Sequence, residues 1–76
     1  MSQTYMIDGV RVTAYGFKDF TQQEAQLYLD YTLDNVIIAT GTLQSISISL
    51  RKDSKVDIRV TSSVGATITL TKGAVQ

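Results

Sequence analysis

Cysteine, histidine, proline and tryptophan are all absent from the 76 residues. Without cysteine there is no disulfide, no thiol nucleophile and no sign of an oxidising compartment. Without cysteine or histidine there is no ordinary zinc site. The two together also remove the usual base and half of the usual nucleophiles of covalent catalysis. Average usage of roughly 5% would supply about four prolines; their absence leaves strand edges without a common blocker of edge-to-edge pairing. Long apolar runs are missing too. The longest, Val36-Ile37-Ile38-Ala39, falls far short of a membrane span. The start, Met1-Ser2-Gln3-Thr4-Tyr5, lacks the basic and apolar regions of a signal peptide. These features point to a cytoplasmic protein with no membrane partner.

The remaining carboxylates do not assemble into a familiar site. Asp53 and Asp57 lack the acid spacing and glycine of a calcium loop, and the five glycines are scattered rather than gathered into a phosphate loop. The chain is expected to be non-enzymatic, with no cofactor and no metal.

Seven Lys plus Arg balance seven Asp plus Glu. Zero net charge argues against duplex nucleic acid as a partner, because such proteins neutralise many phosphates. The balance is uneven along the chain. Residues 1–35 carry two basic and five acidic side chains, and residues 36–76 carry five basic and two acidic ones. All four Tyr and both Phe lie between Tyr5 and Tyr31, whereas most Ser and Thr follow Asn35.

One domain over 1–76 is expected, with a core that is marginal for its size. Tyr5–Ala14 predicts a β-hairpin within residues 4–15, because Asp8-Gly9 is a favoured pair for a two-residue type I′ turn. That turn pairs Ile7 with Val10 and Tyr5 with Val12. It gathers Tyr5, Ile7, Val10, Val12 and Ala14 on one face, and Met6, Arg11, Thr13 and Tyr15 on the other. Gly16–Phe20 is a connector. Thr21-Gln22-Gln23-Glu24 matches a capping box. The helix predicted from Gln22 to Asp34 ends on Asn35 in a left-handed conformation, a segment of 22–35. At about 100° per residue, Ala25, Tyr28, Leu29, Thr32 and Val36 share the inward stripe, with Leu33 at its margin. Leu27 and Tyr31 fall on the opposite side.

Antiparallel strands are predicted over 36–72. Val36–Ala39 is a short strand, and Ser45–Leu50 and Val56–Thr61 alternate apolar and polar residues. Pairing Leu50 with Val56 also pairs Ile48 with Ile58 and Ile46 with Val60. A three-residue loop, Ser63-Val64-Gly65, then pairs Val60 with Ile68 and Ile58 with Leu70, with Gly65 left-handed in a G1 bulge. The fold class is α+β, ββ-α-ββββ, one helix packed on an antiparallel sheet.

Two surfaces are candidates for function. The polar face of the C-terminal sheet carries Arg59 between Ser47 and Thr69, with Lys52 and Lys55 at its edge. A guanidinium among hydroxyls suits a phosphate or carboxylate, while the lack of aromatics there speaks against single-stranded nucleic acid. The second is an oligomer interface on the helix, where Leu27 and Tyr31 are rimmed by Asp30 and Asp34. The basic hairpin Arg51–Arg59 of a second copy is its candidate partner. Lys72 is the one charged guard on the last strand.

These features point to a stoichiometric homo-oligomeric binding protein. It would sequester or block a target, either a protein or a small anionic or nucleotide ligand, as a phage or mobile-element inhibitor does. The alternative is a structural subunit of a larger assembly such as a virion component, favoured by the unguarded strand edges.

Overall fold

Alternation with period two and tight turns produce five strands among the described residues. In this computed structural model those are residues 2–36 and 41–73. In chain order the elements are β1 (Ser2–Ile7), β2 (Val10–Tyr15), α1 (Gln22–Asn35), β3 (Leu43–Leu50), β4 (Lys55–Ser62) and β5 (Thr67–Gly73). The sheet order is β1-β2-β3-β4-β5. The expected strand at 36–39 lies outside the described residues except for Val36, which caps the helix in an extended conformation.

The α+β class, with one helix on a sheet, is as expected, but the sheet is mixed. β2 and β3 run parallel, pairing Val12 with Ile46 and Ala14 with Ile48. The helix between them makes a β-α-β crossover, the connection that parallel neighbours require. The other three pairs are antiparallel.

The hairpin registers follow the sequence pattern. Ile7 pairs with Val10 across Asp8 and Gly9, whose φ values of 51° and 80° make the type I′ turn. Leu50 pairs with Val56, Ile48 with Ile58, Val60 with Ile68 and Ile58 with Leu70. Gly65 is left-handed at φ 87° and its N–H donates to the Ser62 carbonyl, as a G1 loop requires. The β3–β4 loop has a similar arrangement with Ser54 at φ 66°, and its ends close through the Arg51 N–H to the Lys55 carbonyl at 2.7 Å. A side chain in that region is strained where glycine is not.

Two apolar rows cross the sheet on the helix side. One runs Tyr5, Val12, Ile46, Val60, Ile68, and the next Gln3, Ala14, Ile48, Ile58, Leu70. The helix lies over β1 and β2 and buries Ala25, Tyr28, Leu29 and Thr32. Its start is fixed by the capping box: Thr21 Oγ1 accepts the Glu24 N–H, and Glu24 accepts the Thr21 N–H. The preceding connector is pinned by β1. Gln3 Oε1 accepts the Phe20 N–H at 3.0 Å, and the Tyr5 hydroxyl donates to the Phe20 carbonyl at 2.8 Å. Phe20 then packs against Tyr5, Phe17 and Tyr28. Asn35 does not become left-handed. It stays helical and its Nδ2 donates back to the Tyr31 carbonyl at 2.7 Å, which satisfies an end carbonyl without a turn.

Two stability changes follow. Tyr5→Phe removes the bond to Phe20 and lowers unfolding free energy by about 1 kcal/mol. Ser54→Gly relieves the left-handed serine and raises it by about 0.5–1 kcal/mol. Urea unfolding followed by circular dichroism measures both.

Candidate functional site

Hydroxyl side chains hold eleven of the fifteen positions on the face away from the helix. Three rows cross it: Met6-Arg11-Ser45-Thr61-Thr67, Thr4-Thr13-Ser47-Arg59-Thr69 and Ser2-Tyr15-Ser49-Asp57-Thr71. Short serines on the central strand β3 lie between taller side chains on β2 and β4. The result is a hollow of about 400 Å³ lined by Tyr15, Ser47, Ser49, Asp57, Arg59 and Thr69. A smaller hollow of about 210 Å³ lies at the other end of the face, lined by Met6, Gly9, Arg11, Gln44 and Ser45.

The two charges of the larger hollow are in different states. Asp57 Oδ1 accepts from the Thr71 hydroxyl at 3.0 Å and lies 3.5 Å from Arg51 Nη1. Arg51 also pairs with Asp53 at 3.3 Å. The side chain of Arg59, on the next outward position of β4, makes no hydrogen bond or ion pair among the described residues. The acid is therefore compensated and the guanidinium is not. Ser47, Ser49 and Thr69 likewise present hydroxyls that no neighbour takes up. A planar fork of donors over a floor of hydroxyls can take a phosphate or carboxylate by two parallel bonds, and Tyr15, an exposed residue, adds an aromatic side chain to the lining.

Three of the expected ligand residues, Arg59, Ser47 and Thr69, thus line one hollow. Lys52 and Lys55 do not. Lys52 is exposed in the β3–β4 loop, and Lys55 opens β4 beyond Asp57. Ser49, Asp57 and Tyr15 line the hollow in addition to the expected residues, and of these Tyr15 comes from outside the C-terminal strands. It belongs to the N-terminal hairpin, and only the parallel β2–β3 pairing sets it beside Ser49. The rule that a strand-helix-strand unit returns parallel to its neighbour is the signal that reaches it.

The expected helix surface is smaller than its helical wheel suggests. Leu27 is exposed, as are Asp30 and Asp34. Asp30 accepts from Gln26 Nε2 at 2.9 Å. Tyr31 is not an outward residue: it is half-buried and packs against the core. Lys72 Nζ lies 5.0 Å from the Tyr31 ring and 5.5 Å from the Tyr28 ring. Lys72 is therefore no edge guard. It shares the inward side of β5 with Ile68 and Leu70 and folds over the aromatic rings, where a cation is attracted to the ring face.

Among the described residues no group of three or more acids could hold a metal ion, and no helix is long and apolar enough to cross a membrane. Comparison with protein-family models, curated proteins and solved structures finds no match to this chain.

The placement of the two helix residues predicts unequal costs. Tyr31→Ala lowers stability by roughly 1.5 kcal/mol through lost packing and the lost ring under Lys72. Leu27→Ala changes it by less than about 0.5 kcal/mol, as an exposed position does. Thermal unfolding of the two variants side by side checks the difference.

Proposed function

We propose that this chain is a non-enzymatic binding protein that holds a small anionic ligand, of the nucleotide class, on the polar face of its sheet. The observation that carries the reading is the uncompensated Arg59 in a hydroxyl-lined hollow whose acid, Asp57, is already taken by Arg51 and Thr71. In this reading Arg59 takes a phosphate group bidentately. Ser47, Ser49 and Thr69 complete its hydrogen bonds, and Tyr15 offers a ring against which a base can lie. Action is stoichiometric: the ligand is sequestered, in the manner of a phage or mobile-element inhibitor, within a cytoplasmic homo-oligomer.

A second reading, a subunit of a larger assembly such as a virion component, draws on the open sheet. β1 and β5 are both edge strands, and neither pairs with the other among the described residues. Growth of large species with concentration favours that reading over a closed oligomer.

Calorimetric titration with adenosine monophosphate tests the first reading. Wild-type chain binds, Arg59→Ala loses binding at least tenfold with an unchanged circular dichroism spectrum, and Lys52→Ala changes it less than twofold. Absence of wild-type binding, or equal binding by Arg59→Ala, overturns the assignment.

A further inference from the structure

The inward row Tyr5-Val12-Ile46-Val60-Ile68 is closed at one end and open at the other. Exposure rises from 2% at Val60 to 44% at Ile68, one strand further out. Leu70, two residues on, is only half-buried. β5 is thus an edge strand on which Leu70 packs against the core while Ile68 is left largely open.

Its backbone is open in a defined pattern. The Ser62 N–H donates to the Ala66 carbonyl, which makes Ser62 and Ala66 a hydrogen-bonded pair. Antiparallel ladders alternate bonded and non-bonded pairs. Ile68, Leu70 and Lys72 therefore bond to β4, while Thr67, Thr69 and Thr71 aim their N–H and C=O groups away from the sheet. With Lys72 folded inward over Tyr28 and Tyr31, no charge, proline or bulge among the described residues obstructs this edge.

The strand is nearly symmetric about Thr69: Thr67-Ile68-Thr69-Leu70-Thr71 alternates threonine with a branched aliphatic side chain in both directions. We propose that β5 pairs antiparallel with β5 of a second copy, across a two-fold axis at Thr69. This register opposes Thr67 to Thr71 and Thr69 to its own twin. All of these positions carry outward backbone groups, so about six hydrogen bonds form. It also opposes Ile68 to Leu70 on the helix side, covering apolar surface with apolar surface. A shift by one residue sets outward groups against inward ones and loses the bonds. A shift by two keeps the parity: toward Thr67 it cuts the overlap to three residues, and toward Gly73 it spans the whole strand but sets Ile68 against Lys72 in place of Leu70. A second copy therefore fits this edge through both backbone and side chains, as an isologous contact must.

The axis is perpendicular to the sheet, so both helices lie on one face and both polar hollows on the other. Thr69 of the second copy then borders the Arg59 hollow, and the two Arg59 positions stand three strand spacings, about 14 Å, apart. This last consequence rests on the anion-binding reading; the pairing itself does not.

Because the chain has no native cysteine, a single introduced one reports the register. The expected results are a dimer for the wild-type chain in sedimentation velocity and a monomer for Thr69→Pro. Proline there removes an outward N–H and leaves the β4 ladder intact. Thr69→Cys forms a disulfide-linked dimer on mild oxidation, since its twin lies across the axis within bridging distance. Thr67→Cys, opposed to Thr71, does not. A monomeric wild-type chain, a dimeric Thr69→Pro, or equal cross-linking of the two cysteine variants overturns the proposal. If Thr69→Pro does not fold, the cysteine pair decides alone. Arg59→Ala dimerises normally, so loss of adenosine monophosphate binding in that variant speaks only to the ligand site.

Discussion

One helix has to cover one face of five strands, and it is too narrow to do so. Five strands at about 4.8 Å spacing put the outer strand axes about 19 Å apart. A helix with its side chains is about 10 Å across. The helix lies over β1 and β2, and its Tyr28 and Tyr31 rings meet Lys72 of β5. Val56, Ile58 and Val60 on β4 are buried, whereas Ile68 on β5 is 44% exposed. Lys72 partly fills the gap by lying over the two tyrosine rings, its alkyl stem along apolar surface and its charge at the rim. The uncovered strip at Ile68 follows from this geometry.

The same constraint sets the character of the opposite face. With no second helix or second sheet among the described residues, the outward positions face solvent, and alternation fills most of them with Ser and Thr. These residues are good strand formers that can face solvent. A face of this kind becomes concave only where tall side chains flank short ones. That occurs at Ser47 and Ser49, between Tyr15 on one side and Asp57 and Arg59 on the other. The hollow is therefore built by neighbours across strands, and none of its walls is contiguous in sequence. The single crossover β2-α1-β3 makes it possible, since it brings the aromatic-rich N-terminal hairpin against the serine-rich strand.

What could be read from the sequence divides along the same line. Hairpin registers were legible because a turn fixes pairing locally: Asp8-Gly9 dictates Ile7 with Val10, and Gly65 dictates Val60 with Ile68. The capping box at Thr21 and Glu24 was legible because both halves lie within one turn. The parallel pairing of β2 with β3 was not, because no local residue encodes a contact made across a 14-residue helix. Tyr15 was lost from the site with it. Tyr31 was misplaced for a related reason. A helical wheel gives an angle about the axis, but β5 contributes a lysine that folds over that flank, so a side chain far from the stripe's centre is still half-buried. The inward position of Lys72 was available from its alternation with Ile68 and Leu70; its single charge on an edge strand suggested a guard instead.

β5 connects the two faces of the sheet. Its inward Ile68 is left largely open, and its outward Thr69 borders the hollow around Arg59. A partner on this edge acts on both at once, shielding the apolar strip and walling the polar groove. The protein's size makes such a partner more valuable. A domain of this length buries only roughly 60% of the surface its unfolded chain exposes, and it has neither disulfide nor zinc site to compensate. Widening the helix layer would need a longer chain. Extending the sheet through a free edge needs only a second copy, and it adds apolar cover at the strip where the single helix falls short.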